Sequence, residues 1–132
     1  ISKVLTGDSI TLVFTLKATK DWCKNVDVGF SIHNSYGDFI SVLYSSYQNQ
    51  VFDLEKKGYY TLRCTINDFN YTLNQIQIFG LIKENGLEAD WLKIPLGIYE
   101  IEIGDYYKTG NKGYIKDSIC NLKGNWNINA VK

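Results

Sequence analysis

The sequence predicts an all-β protein, an antiparallel β-sandwich of the immunoglobulin-like or jelly-roll kind with about eight to ten strands. Three observations support this prediction. Apolar and polar residues alternate with a period of two in several segments, turn signals separate these segments, and no segment has a convincing helical period. At 132 residues the chain is long enough for one core, so we expect residues 1–132 to form a single domain.

In the first half of the chain, three segments alternate most clearly: Ile10 to Lys17, Val26 to Asn34 and Gly58 to Asn67. Every second residue in them is apolar and is expected to face the core, while the residues between face solvent. Phe39 to Ser45 is predicted to be a shorter strand. Ser46 to Lys57 is more polar and has room for one helical turn.

The second half begins with Gln75 to Glu84, which has apolar residues on both faces, as a central strand does. Asn85-Gly86 is a hairpin-type turn signal. A further apolar stretch runs from Asp90 to Gly110 and includes Ile94. Because a proline cannot donate to a strand ladder, Pro95 is predicted to split this stretch into two short strands, of which Gly97 to Ile103 is the firmer.

After Gly110 the chain is more polar, and three short strands are predicted: Tyr114 to Lys116, Ser118 to Leu122 and Trp126 to Ala130. Trp126, like Trp91 upstream, is interpreted as a residue of core or interface packing. Asp105 follows a glycine at the start of a turn, and turn chemistry is its expected role.

Charge and cysteine content exclude several classes of partner. The formal net charge is zero, with 14 basic and 14 acidic residues, so no electrostatic signature of nucleic acid or anionic lipid is present. The three cysteines are far apart and lack metal-site spacing, which favours reduced thiols, and we expect no metal or other cofactor. No apolar run approaches the roughly 20 residues that a membrane-spanning helix needs.

Catalytic groups are scarce. His33 is the one histidine, and no motif around it indicates an activated nucleophile. Glu100 and Glu102 project from the same face of a predicted strand, but this spacing is ordinary for a solvent-facing side. An enzyme is therefore the least favoured class.

Aromatic residues are abundant, with ten tyrosines, three tryptophans and six phenylalanines. Sugar rings present apolar C–H faces and rims of hydroxyls, so carbohydrate-binding proteins combine aromatic rings with fixed donors and acceptors. One set of outward residues combines these groups on strands that could neighbour one another. The predicted carbohydrate-binding residues are His33, Tyr59, Thr61, Arg63, Gln75, Gln77 and Phe79. For any one of them, an ordinary solvated sheet face is an equally good interpretation.

A series of short motifs occurs in a recognisable order. Upstream are Gly29-Phe30-Ser31-Ile32-His33-Asn34 and Tyr36-Gly37-Asp38, and downstream are Leu73, the strand from Gln75 to Lys83, Asn85-Gly86, Asp90-Trp91, Tyr99-Glu100-Ile101 and the turn Gly104-Asp105-Tyr106-Tyr107 through Gly110. In order and spacing, from about Gly7 to Trp126, they resemble the Wzt C-terminal domain family. The chain departs from the family pattern at Asn74-Gln75-Ile76, where the family has Gly-x-Tyr.

That family is the carbohydrate-binding domain attached to the ATPase subunit of ABC transporters that export O-antigen and related bacterial polysaccharides. The resemblance implies a non-catalytic domain that recognises a surface polysaccharide, in a protein on the cytoplasmic face of the inner membrane. It also implies a homodimer with an exchanged C-terminal strand, an N-terminal ATPase domain and a transmembrane transporter subunit as partners. The chain starts at Ile1 and has no methionine, so we expect it to be a fragment that lacks this ATPase domain.

Two other hypotheses stay open. One is a secreted lectin or adhesin module, which a disulfide or a calcium requirement would favour. The other is a structural immunoglobulin-like domain that binds only protein.

Overall fold

The computed structural model describes residues 2–91 and 95–131, and for Trp91 it describes the backbone alone. Ile94, which the sequence pattern places in an apolar stretch, lies outside these residues, as does the side chain of Trp91. Within the described part of the chain there are nine strands and one short 3₁₀ helix, Ser45–Gln48. The strands are β1 (Ser2–Leu5), β2 (Ile10–Ala18), β3 (Cys23–Asn34), β4 (Phe39–Tyr44), β5 (Phe52–Leu54), β6 (Gly58–Ile66), β7 (Gln75–Glu84), β8 (Leu87–Trp91) and β9 (Gly97–Glu102).

These strands form two sheets of unequal size. The large sheet has seven strands, in the order β1-β9-β7-β3-β4, with β5 on the β4 side of β3 and β8 on the β9 side of β7. The small sheet contains only β2 and β6, paired antiparallel from Ile10 opposite Ile66 to Ala18 opposite Gly58. The predicted β-sandwich is confirmed. The large sheet is mixed rather than purely antiparallel, because β1 pairs with β9 in parallel.

Strand β3 lies at the centre of the large sheet. It pairs with β7 over nine residues, from Val26 opposite Glu84 to Asn34 opposite Ile76, and with β4 along its other edge. The alternation of β3 separates its two faces, and the apolar residues Val26, Val28, Phe30 and Ile32 are all buried. The inward direction that the sequence predicts for these four side chains is confirmed.

The core consists of two clusters between the sheets. One surrounds Val26, Val28 and Leu54, and Leu16 and Leu62 of the small sheet pack against it. The other is built on Phe30, Ile32, Phe69, Ile76 and Ile78, with side chains of β1, β2, β4, β6 and β9 packed around it. Ile76, which is 2% exposed, is the largest fully buried side chain in the described part of the chain.

The predicted break at Pro95 is confirmed, since Pro95 lies in no strand and β9 begins at Gly97. Both strands lie on the same edge of β7, β8 opposite Leu81–Glu84 and β9 opposite Gln75–Ile78. The hairpin at Asn85-Gly86 is also confirmed. Both residues have positive φ, 50° and 79°, the conformation that a two-residue turn between antiparallel strands needs.

The C-terminal predictions are wrong. Tyr114 to Lys116, Ser118 to Leu122 and Trp126 to Ala130 form no strands, and only an isolated bridge joins Cys120 to Tyr71. The Trp126 side chain is 97% exposed, so it does not pack in the core of this chain. Alternation alone does not produce a strand, because the backbone groups also need a neighbouring sheet edge.

Asp105 has the predicted turn role. Its carboxylate accepts hydrogen bonds from the backbone N–H groups of Thr109, at 3.2 Å, and Gly110, at 3.1 Å. The three thiols are free: Cys23 is buried, Cys64 is half-buried and Cys120 is exposed. Among the described residues, no helix is long and apolar enough to cross a membrane.

Ile76→Ala tests the assigned core. We expect a loss of about 2–5 kcal/mol in the free energy of unfolding, measured by urea titration, because the substitution leaves a cavity between the sheets. The matched control is Ile115→Ala, since Ile115 is 75% exposed. This control should change the free energy of unfolding by less than about 0.5 kcal/mol. Equal effects of the two substitutions would contradict the assigned core.

Candidate functional site

The outer face of the large sheet carries a group of three rings at one end of β3. His33 lies on β3 between Phe39 of β4 and Gln77 of β7, and Phe79 lies diagonally across β7. The His33 ring is edge-to-face with Phe79, at a centroid distance of 4.7 Å, and with Phe39, at 5.7 Å. Both distances are typical of favourable aromatic pairs. We call His33, Phe39 and Phe79 the ring group.

Hydrogen bonds hold the imidazole of His33 in one orientation. Its Nε2 lies 3.0 Å from Ser31 Oγ and its Nδ1 lies 3.2 Å from the carbonyl oxygen of Gly37. Because a carbonyl oxygen only accepts, Nδ1 carries the proton of the neutral ring and Nε2 accepts the hydroxyl proton of Ser31. The ring group therefore has a defined geometry before any ligand binds.

Amide side chains and a turn border the ring group. Gln75 and Gln77 project from β7 on the same outer face, and the Gln77 amide donates to the Ser35 carbonyl at 3.5 Å. The turn at 35–38 is ordered by Asn34, whose Oδ1 accepts from the N–H groups of Tyr36 and Asp38. The Tyr36 side chain at the tip of this turn is 89% exposed. Aromatic faces and fixed polar groups thus lie side by side.

A second group of rings lies further along the same face. A Cβ on Gly29 would be 2.7 Å from Cδ1 of Tyr44, so the Tyr44 ring lies across the glycine. Lys83 Nζ is 4.4 Å from the centroid of the Tyr44 ring, and Tyr47 packs against its edge at 5.5 Å. Asp27 positions this corner by accepting hydrogen bonds from Ser45 and Ser46.

The predicted set of seven binding residues does not share one face. His33, Gln75, Gln77 and Phe79 lie on the outer face of the large sheet. Tyr59, Thr61 and Arg63 lie on β6 in the small sheet. Their exposed side chains form part of the outer face of that sheet, on the opposite side of the sandwich from His33. The prediction that all seven come from neighbouring strands is wrong, because β6 pairs with β2 rather than with β7 or β3.

The β6 residues form a separate polar face with those of β2. Tyr59 lies opposite Lys17, Thr61 opposite Thr15 and Arg63 opposite Val13. The Lys17 ammonium is 5.8 Å from the centroid of the Tyr59 ring. Aromatic residues are sparse on this face, where Tyr59 is the one ring among the described side chains.

Four residues of the large-sheet face were missed from the sequence: Ser31, Phe39, Tyr44 and Lys83. Alternation along the predicted strands places Ser31 beside His33 and Lys83 beyond Phe79, and that signal was available. The positions of Phe39 and Tyr44 on this face could not be predicted from alternation. A register shift between Ile32 and His33, opposite β4, decides which β4 side chains share the face of His33.

The Ser31–His33 pair has the distance of a nucleophile and its base, but its surroundings differ from those of a hydrolase. Ser31 is 6% exposed, between Val42 and Phe79. Strand β3 pairs with β4 and β7 along both edges here, so its backbone N–H groups are engaged in the ladders and are not free to form an oxyanion hole. The pair orients the imidazole instead.

The charged side chains near the edge of the large sheet form the kind of exposed ion pair that is common on a solvated sheet. Glu102 forms an ion pair with Lys3 at 3.1 Å, and the hydrogen bond to Glu102 raises the pKa of the Lys3 ammonium. Among the described residues, no group of three or more His, Cys, Asp or Glu side chains is placed to hold a metal ion.

A cleft of about 630 Å³ opens between the two sheets along β2. Its walls are β2 from Thr11 to Lys17 and the inner face of the large sheet, including Ile78, Ile82 and Tyr99. The cleft exists because a sheet of two strands is too narrow to cover one of seven. The edge of β2 that faces away from β6 has no strand beside it among the described residues.

Comparison with solved structures finds a similar fold. The crystal structure of the C-terminal domain of Wzt aligns with a TM-score of 0.65 at 10% sequence identity, covering 96% of this chain and 73% of that one. No family model matches the sequence. No curated protein matches it either.

The tautomer of His33 tests the geometry of the ring group. In alkaline buffer the neutral imidazole should carry its proton on Nδ1, because Nδ1 donates to the Gly37 carbonyl. Long-range ¹H–¹⁵N correlation spectra of labelled protein distinguish the two tautomers. Ser31→Ala serves as the control. It removes the hydroxyl that donates to Nε2 and should shift the Nε2 resonance while the Nδ1 resonance stays unchanged. A proton on Nε2 in the unsubstituted protein would contradict the assigned contacts.

The likeness to the crystal structure of the Wzt C-terminal domain, at 10% sequence identity, shows the fold alone. The resemblance to the Wzt C-terminal domain that the sequence motifs indicated is confirmed at this level, and the chain has the fold of that domain.

Proposed function

We propose that this chain is a non-catalytic carbohydrate-binding domain that recognises a bacterial surface polysaccharide for export by an ABC transporter. The single observation that carries the proposal is the ring group on the outer face of the large sheet, with the amides of Gln75 and Gln77 beside it. Rings stack on the C–H faces of a sugar, and amides exchange hydrogen bonds with its hydroxyls.

The ligand lies on the large-sheet face in this proposal. His33, Gln75, Gln77 and Phe79 contact it together with Phe39, which is 60% exposed. Tyr59, Thr61 and Arg63 are on the opposite side of the sandwich and take no part in the same contact. Binding without chemistry fits the large-sheet face, where the histidine is oriented by Ser31 and the backbone N–H groups of β3 are engaged in sheet pairing.

The protein acts as a homodimer in this proposal, with its C-terminal segment exchanged between two copies. In residues 125–131, Trp126, Ile128 and Ala130 alternate with asparagines, and the first two are 97% and 94% exposed. The cleft along β2 offers a strand edge of similar length, from Thr11 to Lys17, which pairs with no other strand among residues 2–91 and 95–131 and adjoins apolar side chains of the large sheet. An exchanged segment would pair with β2 and bury these apolar side chains.

Two domains in one dimer present two carbohydrate sites. A polysaccharide with repeated units can occupy both, which raises the overall affinity above that of one weak site. In the longer protein, an ATPase domain precedes this domain and a transmembrane subunit is its partner. The protein then lies at the cytoplasmic face of the inner membrane, where the polysaccharide is handed to the transporter.

Phe79→Ala tests the proposed face. It should weaken binding of the surface polysaccharide purified from the source organism about tenfold in isothermal titration calorimetry, because a stacking surface is lost. Tyr59→Ala removes an exposed ring from the opposite face and is the matched control, for which we expect unchanged affinity. If Tyr59→Ala weakens binding and Phe79→Ala does not, the ligand lies on the small sheet. If the unsubstituted protein leaves the polymer unbound, the proposed function is wrong.

Truncation before Gly124 tests the exchanged segment. The unsubstituted chain should have the mass of a dimer in multi-angle light scattering, and the truncated chain that of a monomer, because the segment that fills the partner's cleft is gone. Lys123→Ala is a suitable control, since it changes the adjoining residue but keeps the segment. A truncated chain that stays dimeric would refute the exchange, and a monomeric unsubstituted chain would refute the dimer.

A further inference from the structure

The loop between β2 and β3 holds a tryptophan in an unusual backbone conformation. Trp22 has a φ of 58°, in the left-handed region, and its side chain is 57% exposed. Seven non-glycine residues of the described chain have positive φ, and the other six are Asn25, Asn49, Asp68, Asn85, Lys108 and Asp117. Asparagine and aspartate tolerate this region, whereas a bulky side chain there is an outlier. Such outliers concentrate at ligand-binding positions.

Hydrogen bonds make this loop a rigid support. The Trp22 backbone N–H donates to the Glu55 carbonyl at 2.9 Å, and Asp21 Oδ1 accepts from the Lys57 backbone N–H at 2.9 Å. The Asn25 N–H donates to Asp53 at 3.0 Å. All of these bonds use groups other than the indole. The loop is therefore tied to β5 and to the turn after it, and these bonds leave the indole, which is 57% exposed, free for contact with a ligand on the face away from Lys24.

The surroundings of the indole are polar and carry charges of both signs. Lys20, Asp21, Lys24 and Glu55 are all exposed around the loop, two of each sign. The Lys24 ammonium lies 5.9 Å from the centroid of the indole. A hot spot for protein binding is normally a ring within a wider, desolvated patch. The four charged residues around Trp22 do not form such a patch. One apolar ring bordered by donors and acceptors matches a sugar, which has an apolar face and a polar rim.

We propose that Trp22 forms a second carbohydrate subsite, at which a neutral pyranose stacks on the indole while Asp21 and Lys24 contact its hydroxyls. This subsite is separate from the ring group. Trp22 precedes β3 and His33 lies near its other end, which places them roughly 30 Å apart at the rise of an extended strand, once the register shift between Cys23 and Val26 is allowed for. A long polysaccharide reaches both positions, whereas a single sugar does not. The inference rests on the proposed function, since it assumes that the domain binds carbohydrate.

Titration with monosaccharides tests the subsite by NMR. The probes are the methyl glycosides of glucose, galactose, mannose and rhamnose, each added separately to ¹⁵N-labelled protein. We expect the indole N–H resonance of Trp22 and the backbone amides of residues 20–25 to shift progressively with at least one of them. The indole resonance is assigned by its absence from the spectrum of Trp22→Asn, a substitution that the left-handed backbone tolerates.

Two variants separate this subsite from the large-sheet face. In Trp22→Asn the shifts of residues 20–25 should disappear while those around His33 persist, and Phe79→Ala should have the opposite effect. Shifts around His33 with an unmoved Trp22 would overturn the subsite and leave the proposed function standing. Shifts in the loop that survive in Trp22→Asn would also overturn it. If no resonance moves with any of the sugars, both the subsite and the proposed function are contradicted.

Discussion

The pairing of β3 along both edges is the constraint on which the rest of the structure depends. With β7 on one side and β4 on the other, β3 cannot shift by one residue without exchanging its two faces. In this register Val28 and Phe30 lie in the core, whereas Gly29, Ser31 and His33 lie on the outer face of the large sheet. The small residues at 29 and 31 let larger side chains of β4 and β7 close over the strand. One register thus builds the core and positions the ring group.

The unequal sheets explain the second feature of the fold. A two-stranded sheet is too narrow to cover its seven-stranded partner, and a cleft lined by Ile78, Ile82 and Tyr99 runs along the edge of β2 that pairs with no strand in the described part of the chain. The same chain exposes Trp126 and Ile128 at its C-terminal end. An incomplete sheet and an unpaired apolar segment are complementary, and joining them would satisfy both the strand edge and the exposed side chains. This complementarity is the physical basis of the proposed dimer.

Strong alternation made much of the fold predictable. The segments at β2, β3 and β6 were recognised to within a few residues, and Pro95 and Asn85-Gly86 marked a break and a turn because their backbone requirements are local. Alternation tells which residues share a face of a strand, but it does not tell which strand lies next to it. For that reason Tyr59, Thr61 and Arg63 were grouped with His33, although β6 belongs to the other sheet. The parallel pairing of β1 and the missing C-terminal strands depend on the same long-range information.

The central claim is that carbohydrate lies on the outer face of the large sheet and is bound there without chemical change. A crystal structure of the domain with an oligosaccharide from the source organism's surface polysaccharide tests this most directly. We expect an intact sugar ring stacked against Phe79 or Phe39, with its hydroxyls within hydrogen-bond distance of Gln75 or Gln77. A sugar seated on Tyr59 and Arg63 of the small sheet, or a cleaved oligosaccharide beside His33, would contradict it.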